Sequence, residues 1–90
     1  MILILAGFLT ACATTPPVQE MSNARQTIAA AHEAKAKQFA PRQIEEAERL
    51  MAQATVALES GDYNSARDLA VEAQQMAIKA RQAAISKQNN

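Results

Sequence analysis

The chain holds one thiol, Cys12, and one imidazole, His32, and these two bound the chemistry open to it. A thiolate is a strong nucleophile and metal ligand, and an imidazole is the usual general base near neutral pH. One of each leaves no nitrogen and sulfur ligand set for zinc within one chain, so the expectation is no metal. No Ser-His-Asp or Cys-His arrangement is defensible, and no glycine-rich phosphate loop appears. Glu45, Glu46 and Glu48 crowd one stretch. Near a helix N-terminus, however, carboxylates complement the dipole, and they read as a solvated face. Glu45 and Arg49 have the spacing of an i,i+4 ion pair worth roughly 0.2–0.5 kcal/mol, and Asp68 and Glu72 that of a mild repulsion of similar size. His32, in "AAAHEAKAK", reads as an exposed helical position. No catalytic residue and no cofactor is expected, and the chain reads as a non-enzyme.

Cys12 asks for a different account. It stands behind the apolar run Ile2 to Leu9, with Ala13, Thr14, Thr15, Pro16 and Pro17 following. The run is too short to span a bilayer, which needs about 20 residues, and it fits the apolar region of a secretory signal, about 7–15 residues. Leu9-Thr10-Ala11-Cys12 resembles a bacterial lipobox: an aliphatic residue, two small ones, then cysteine. The resemblance implies a diacylglycerol thioether on Cys12, cleavage before it, and an acyl chain such as palmitate on the freed amine. Physics suits it, since small residues at Thr10 and Ala11 let an extended segment enter a peptidase site. No Lys or Arg precedes Arg25, whereas a signal begins with a basic region, so the true start is expected upstream of Met1. The division expected is a signal peptide over 1–11, lipidated Cys12 with an extended tether over 12–19, and a helical domain over 20–90. The tether would reach on the order of 25 Å. Ala13, rather than Asp, after the cysteine implies the periplasmic face of the outer membrane, with the membrane itself the first partner.

The remaining composition excludes much. Nine Lys and Arg balance nine Asp and Glu, interleaved so that no basic face stands out, which argues against nucleic acid. Two Gly, no Trp, one Tyr and two Phe offer little to a sheet or a stacking platform. Ala, Gln, Glu, Lys, Arg and Met are strong helix formers, so the fold class expected is all-α.

Three helical stretches must position whatever this protein presents. The first runs from about Glu20 to Phe39, with apolar or small residues at Met21, Ala24, Ile28, Ala31 and Ala34. Ala40-Pro41 interrupts it, because proline disfavours a helical residue before it and starts helices well. The second runs from about Pro41 to Ser60 on Ile44, Ala47, Leu50, Met51, Ala54, Ala57 and Leu58. Gly61 stops it and Asp62 caps the third, which runs from about Tyr63 to Ser86 on a stripe that is mostly alanine. The short Gly61-Asp62 link makes the last two an antiparallel hairpin, on which the first helix either completes a three-helix bundle or stands as a separate arm. Val71, Ile78 and Ile85 form a second line seven residues apart. It reads first as the edge of a wide core face and second as a contact surface for a partner.

"ALESGDYNSARDLAVEAQ" resembles the inter-helix region of a tetratricopeptide repeat, with Tyr63 over the turn. A single copy implies hairpin packing and not a solenoid. At larger scale, the lipobox, the Thr/Pro tether, "ARQTIAAAHEAKAKQFAP" and "IEEAERLMAQATVALESGDYNSARDLAVEAQQMAIKA" resemble a family of Ala-rich bacterial lipoproteins built on a domain of unknown function. Its members occur alone or joined to an OmpA-like peptidoglycan-binding domain, and the likeness covers about residues 22–84. It implies an envelope location close to peptidoglycan and brings no catalytic residues. The function expected is a structural or adaptor helical module for another envelope protein. The alternatives are a self-associating spacer between outer membrane and peptidoglycan, similar in role to the murein lipoproteins, and a small module holding an apolar ligand between helices.

Overall fold

The computed structural model describes residues 15–90. The expectations placed on Leu9, Thr10, Ala11 and Cys12 lie outside the described residues. Four helices follow in order: α1 (Val18–Glu33), α2 (Ala36–Phe39), α3 (Pro41–Glu59) and α4 (Tyr63–Asn89). There is no strand among the described residues.

Alanine organises the packing. Ala66, Ala70, Ala73, Ala77, Ala80 and Ala84 recur at alternating intervals of four and three along α4, and each is 0% exposed. Such spacing keeps one stripe on one side of a helix over several turns. Small side chains on this stripe let α4 lie close to its neighbours, which meet it with larger residues such as Met21, Ile44, Leu50 and Met51. α4 lies along both α3 and α1, and its contacts with these two dominate the fold. Two core clusters result. Met21, Ala24, Leu50, Met51, Ala54, Ala70 and Ala73 form the first; Ala31, Ala36, Ala40, Ile44, Ala47, Ala77, Ala80 and Ala84 form the second. Half-buried Ile28 and Met76 touch both clusters. Their membership fixes direction: α1 runs parallel to α4, and α3 runs antiparallel to both. The first helix therefore completes a three-helix bundle.

The turns follow local chemistry. At the end of α3 the Gly61 N–H donates to Leu58 O (3.1 Å) and the Asp62 N–H to Ala57 O (2.9 Å). This is the paired closure of a Schellman motif, and it requires the positive φ of 82° that Gly61 adopts. Asp62 Oδ1 then accepts from the Ser65 N–H at 3.3 Å and caps α4. Pro41 opens α3 at its first position, with Ala40 before it outside the helical region at φ −144° and ψ 55°, as the clash of a proline ring with a preceding helical residue requires.

One boundary differs from expectation. The first helix does not run unbroken to Phe39: α1 ends at Glu33, and Lys35 takes the left-handed conformation at φ 63°. Turning there lays the single turn of α2 across the bundle, so that Ala36 and Ala40 reach 0% and 1% exposure and Phe39 packs against the same cluster. A straight continuation of α1 would carry these three past the end of the core. The Gln88 side-chain amide donates to the Ala34 carbonyl at 2.6 Å and to Ala84 O at 3.2 Å. It thereby satisfies an acceptor that the end of α1 leaves open.

The start of α1 also lies earlier than expected. Val18 and Gln19 are already helical, Pro17 is fully buried, and Arg67 Nη2 donates to Thr15 O at 3.2 Å. Residues 15–19 are therefore docked on the bundle and are not part of an extended tether. No helix of the described residues is long and apolar enough to cross a membrane.

Candidate functional site

The bundle offers three features that could meet another molecule: a groove between α1 and α4, a cross-helix contact at His32, and an uneven distribution of charge.

The groove lies on the open side of the α1–α4 pair. One stretch of about 300 Å³ is lined by Gln26, Thr27, Ala30, Ile78, Arg81 and Gln82. A second of about 440 Å³, nearer the Lys35 bend, adds Glu33, Ala34, Ile85, Gln88 and Asn89. Both are open to solvent. Ile78 and Ile85 stand on their α4 side, and the seven-residue line to which they belong is partly exposed, Val71 to 37%, Ile78 to 41% and Ile85 to 36%. Each of the three is more than half covered, so the line stands at the edge of the packed face and presents part of its surface to solvent. On a helix wheel it stands about 100° from Ala70, Ala77 and Ala84, at the margin of the width that α1 covers. Val56 on α3 and Val18 at the start of α1 are more exposed still, at 64% and 69%.

His32 is exposed, as its context suggested, but it is not idle. Its Nε2 lies 2.8 Å from Glu48 Oε2 and joins α1 to α3. Arg49 pairs with Glu46, one turn back, through Nε to Oε2 at 3.2 Å and through a second contact from Nη2 to Oε1. The pairing expected with Glu45 is replaced by this two-pronged one, which a guanidinium fork favours over a single contact. Arg67 Nε lies 3.5 Å from Glu20 Oε2 and ties the start of α4 to the start of α1. No group of three His, Cys, Asp or Glu among the described residues is placed to hold a metal ion.

Of the residues singled out by spacing, Pro41, Gly61, Asp62 and Tyr63 sit at turns, with Tyr63 half-buried where α4 begins. Their task is to shape the bundle. Missed by the sequence reading is the segregation of charge. Lys35, Lys37, Arg42, Lys79, Arg81 and Lys87 are all exposed, and all lie toward the end where α1 turns into α2. Glu59, Asp62, Asp68 and Glu72 lie toward the other end, around the Gly61 turn. Interleaved charge in one dimension becomes a separated pair of poles in three. The signal available in the sequence was the grouping Lys35-Lys37-Arg42 and Lys79-Arg81-Lys87, two basic runs that only the fold brings together.

Comparison with known proteins adds a family. The family description "Domain of unknown function (DUF4398)" matches residues 19–90, and the chain belongs to that family. No curated protein and no solved structure matches the chain.

Proposed function

We propose that this member of the DUF4398 family is a lipoprotein held at the periplasmic face of the outer membrane. It acts there as a structural or adaptor module for another envelope component. One observation carries the reading: Leu9-Thr10-Ala11-Cys12 is separated by only Ala13 and Thr14 from Thr15, whose carbonyl is already held by Arg67 on the bundle. An acyl anchor on Cys12 would thus be coupled almost directly to a rod about 40 Å long, the length of the 27 residues of α4. Three acyl chains at roughly 0.8 kcal/mol per buried methylene would hold it stably. A rod with one end fixed and its sides open is suited to bridging or spacing and offers little to turnover chemistry.

Two measurements test this. Metabolic labelling with an alkyne palmitate should mark the chain, and Cys12→Ala should abolish the mark. Deleting residues 15–90 while keeping the anchor should disturb at least one envelope complex seen by cross-linking in intact cells. Unchanged complexes and an unchanged envelope would remove the adaptor reading.

Self-association is a second reading, favoured by the exposure of Val71, Ile78 and Ile85 on one side of α4. Three partly exposed aliphatic side chains fall well short of the roughly 800 Å² per partner of a standard interface, so the pair would be weak in dilute solution. Cross-linked self-adducts in membranes that disappear with Ile78→Glu would favour it, and adducts unaffected by that change would count against it.

A further inference from the structure

Six cations lie at one end of the bundle without an ion pair among the described residues. Lys35, Lys37 and Arg42 surround the bend, α2 and the first turn of α3, while Lys79, Arg81 and Lys87 occupy the last turns of α4. The contact of Gln88 with Ala34 O, and the packing of Ala36 and Ala40 with Ala80 and Ala84, bring both groups to the same end. Only Glu33 and Glu45 oppose them there as acids outside an ion pair. Glu46 is engaged by Arg49, and Glu48 by His32. At the far end the balance reverses: Arg67 is engaged by Glu20, Glu59, Asp62, Asp68 and Glu72 have no cation partner among the described residues, and only Arg25 on α1 opposes them as a cation outside an ion pair. A chain with a formal net charge of zero is therefore a rod with one basic and one acidic pole.

We propose that the basic pole is a docking surface for a polymer carrying closely spaced carboxylates. For a protein anchored at Cys12, that polymer is the peptidoglycan of the cell wall, whose stem peptides bear free carboxylates. This identification of the partner rests on the anchored reading above. Four of the six cations are lysines, compact and strongly hydrated charges on flexible stems. They suit diffuse contact with many spaced anions and not a single fixed ligand. Anionic lipid is the less suitable occupant. Thr15, three residues after Cys12, is held by Arg67, twenty residues of α4 and thus about 30 Å from Lys87. That is several times the screening length of about 8 Å at physiological ionic strength. Phe39, the large aromatic side chain at the basic pole, is packed against the core and is not presented for insertion.

The test uses the full chain, solubilised from membranes in detergent and sedimented with purified peptidoglycan sacculi. Parallel samples carry vesicles containing phosphatidylglycerol in place of sacculi. The protein should sediment with sacculi at about 50 mM salt and be released as salt approaches several hundred millimolar. Combining Lys35→Glu, Lys37→Glu, Arg42→Glu and Lys87→Glu should weaken retention roughly tenfold or more. The same four positions changed to Gln should weaken it less, with unchanged circular dichroism, which separates loss of charge from loss of fold. Changing Glu59 and Asp68 to Gln at the acidic pole should leave retention intact. No retention on sacculi, equal retention of the reversed variant, or preferential binding to vesicles would each overturn the proposal. Palmitate labelling without sacculus binding removes the docking surface and leaves the anchor. Sacculus binding without labelling supports the docking surface and removes the anchor.

Discussion

Gly61 and Lys35 both hold positive φ, at 82° and 63°, and they make opposite predictions. A β-carbon built on Gly61 would meet nothing within 4 Å, so Gly61→Ala tests backbone conformation alone. Left-handed φ costs an L-residue roughly 1–2 kcal/mol, and urea unfolding should show a net loss of about 0.5–1 kcal/mol once the freedom that alanine removes from the unfolded chain is deducted. Lys35 already bears this strain, so Lys35→Gly should stabilise, by about 0.5–1 kcal/mol once the extra freedom of glycine in the unfolded chain is deducted. A stability below that of the parent would mean that the bend is held by the Lys35 side chain. Asp62→Ala removes the cap on the Ser65 N–H and should cost about 1 kcal/mol in the same assay. The Gly61 turn was legible in the sequence because glycine and aspartate each have a specific role at a helix end. The Lys35 bend was not, since lysine carries no preference for left-handed φ, and the demand for it comes from Ala36, Phe39 and Ala40 reaching the core.

At the scale of elements, α4 shows that a seam of small side chains makes helix position exacting. Ala77 is 0% exposed between its neighbours, so Ala77→Leu should force the helices apart at a cost of about 1–3 kcal/mol. Ile78, one residue on, is 41% exposed, and Ile78→Ser should cost the single chain about 1 kcal/mol, a fraction of the value for a fully buried Ile. Thermal melts of both variants at low protein concentration decide the comparison. A large effect at Ile78 and a small one at Ala77 would mean that the face of α4 has been misassigned. The hairpin of α3 and α4 and its alanine stripe were readable from periodicity. The parallel placement of α1 was not, because Met21, Ala24 and Ala31 show which face is apolar and nothing of the direction it will take.

For the whole molecule, low burial per residue and a shared central helix act together. Met21 and Ile44 are the largest side chains buried to below 2% exposure. A buried alanine methyl contributes less than the roughly 1.5–3 kcal/mol of a buried Leu or Ile, so stability should be modest for the length. Both core clusters draw on α4, which leaves no part able to keep its core without the rest. Unfolding in urea should accordingly be a single transition, superimposable by far-ultraviolet circular dichroism and by Tyr63 fluorescence. Separate midpoints would show that α1 detaches before the hairpin.

By itself the sequence determined the helical class, the stop at Gly61, the start at Pro41 and the buried stripes, because each depends on contacts within a few residues. It also supplies the lipobox resemblance on which the proposed anchor at Cys12 rests. Only the tertiary structure decided that α1 lies parallel to α4, that Lys35 breaks a continuous apolar pattern, and that Val71, Ile78 and Ile85 are left partly exposed. It alone turned alternating charges into two poles. These depend on which residues distant in sequence meet across the bundle, and that choice is made by the joint fit of three alanine-rich faces around one core.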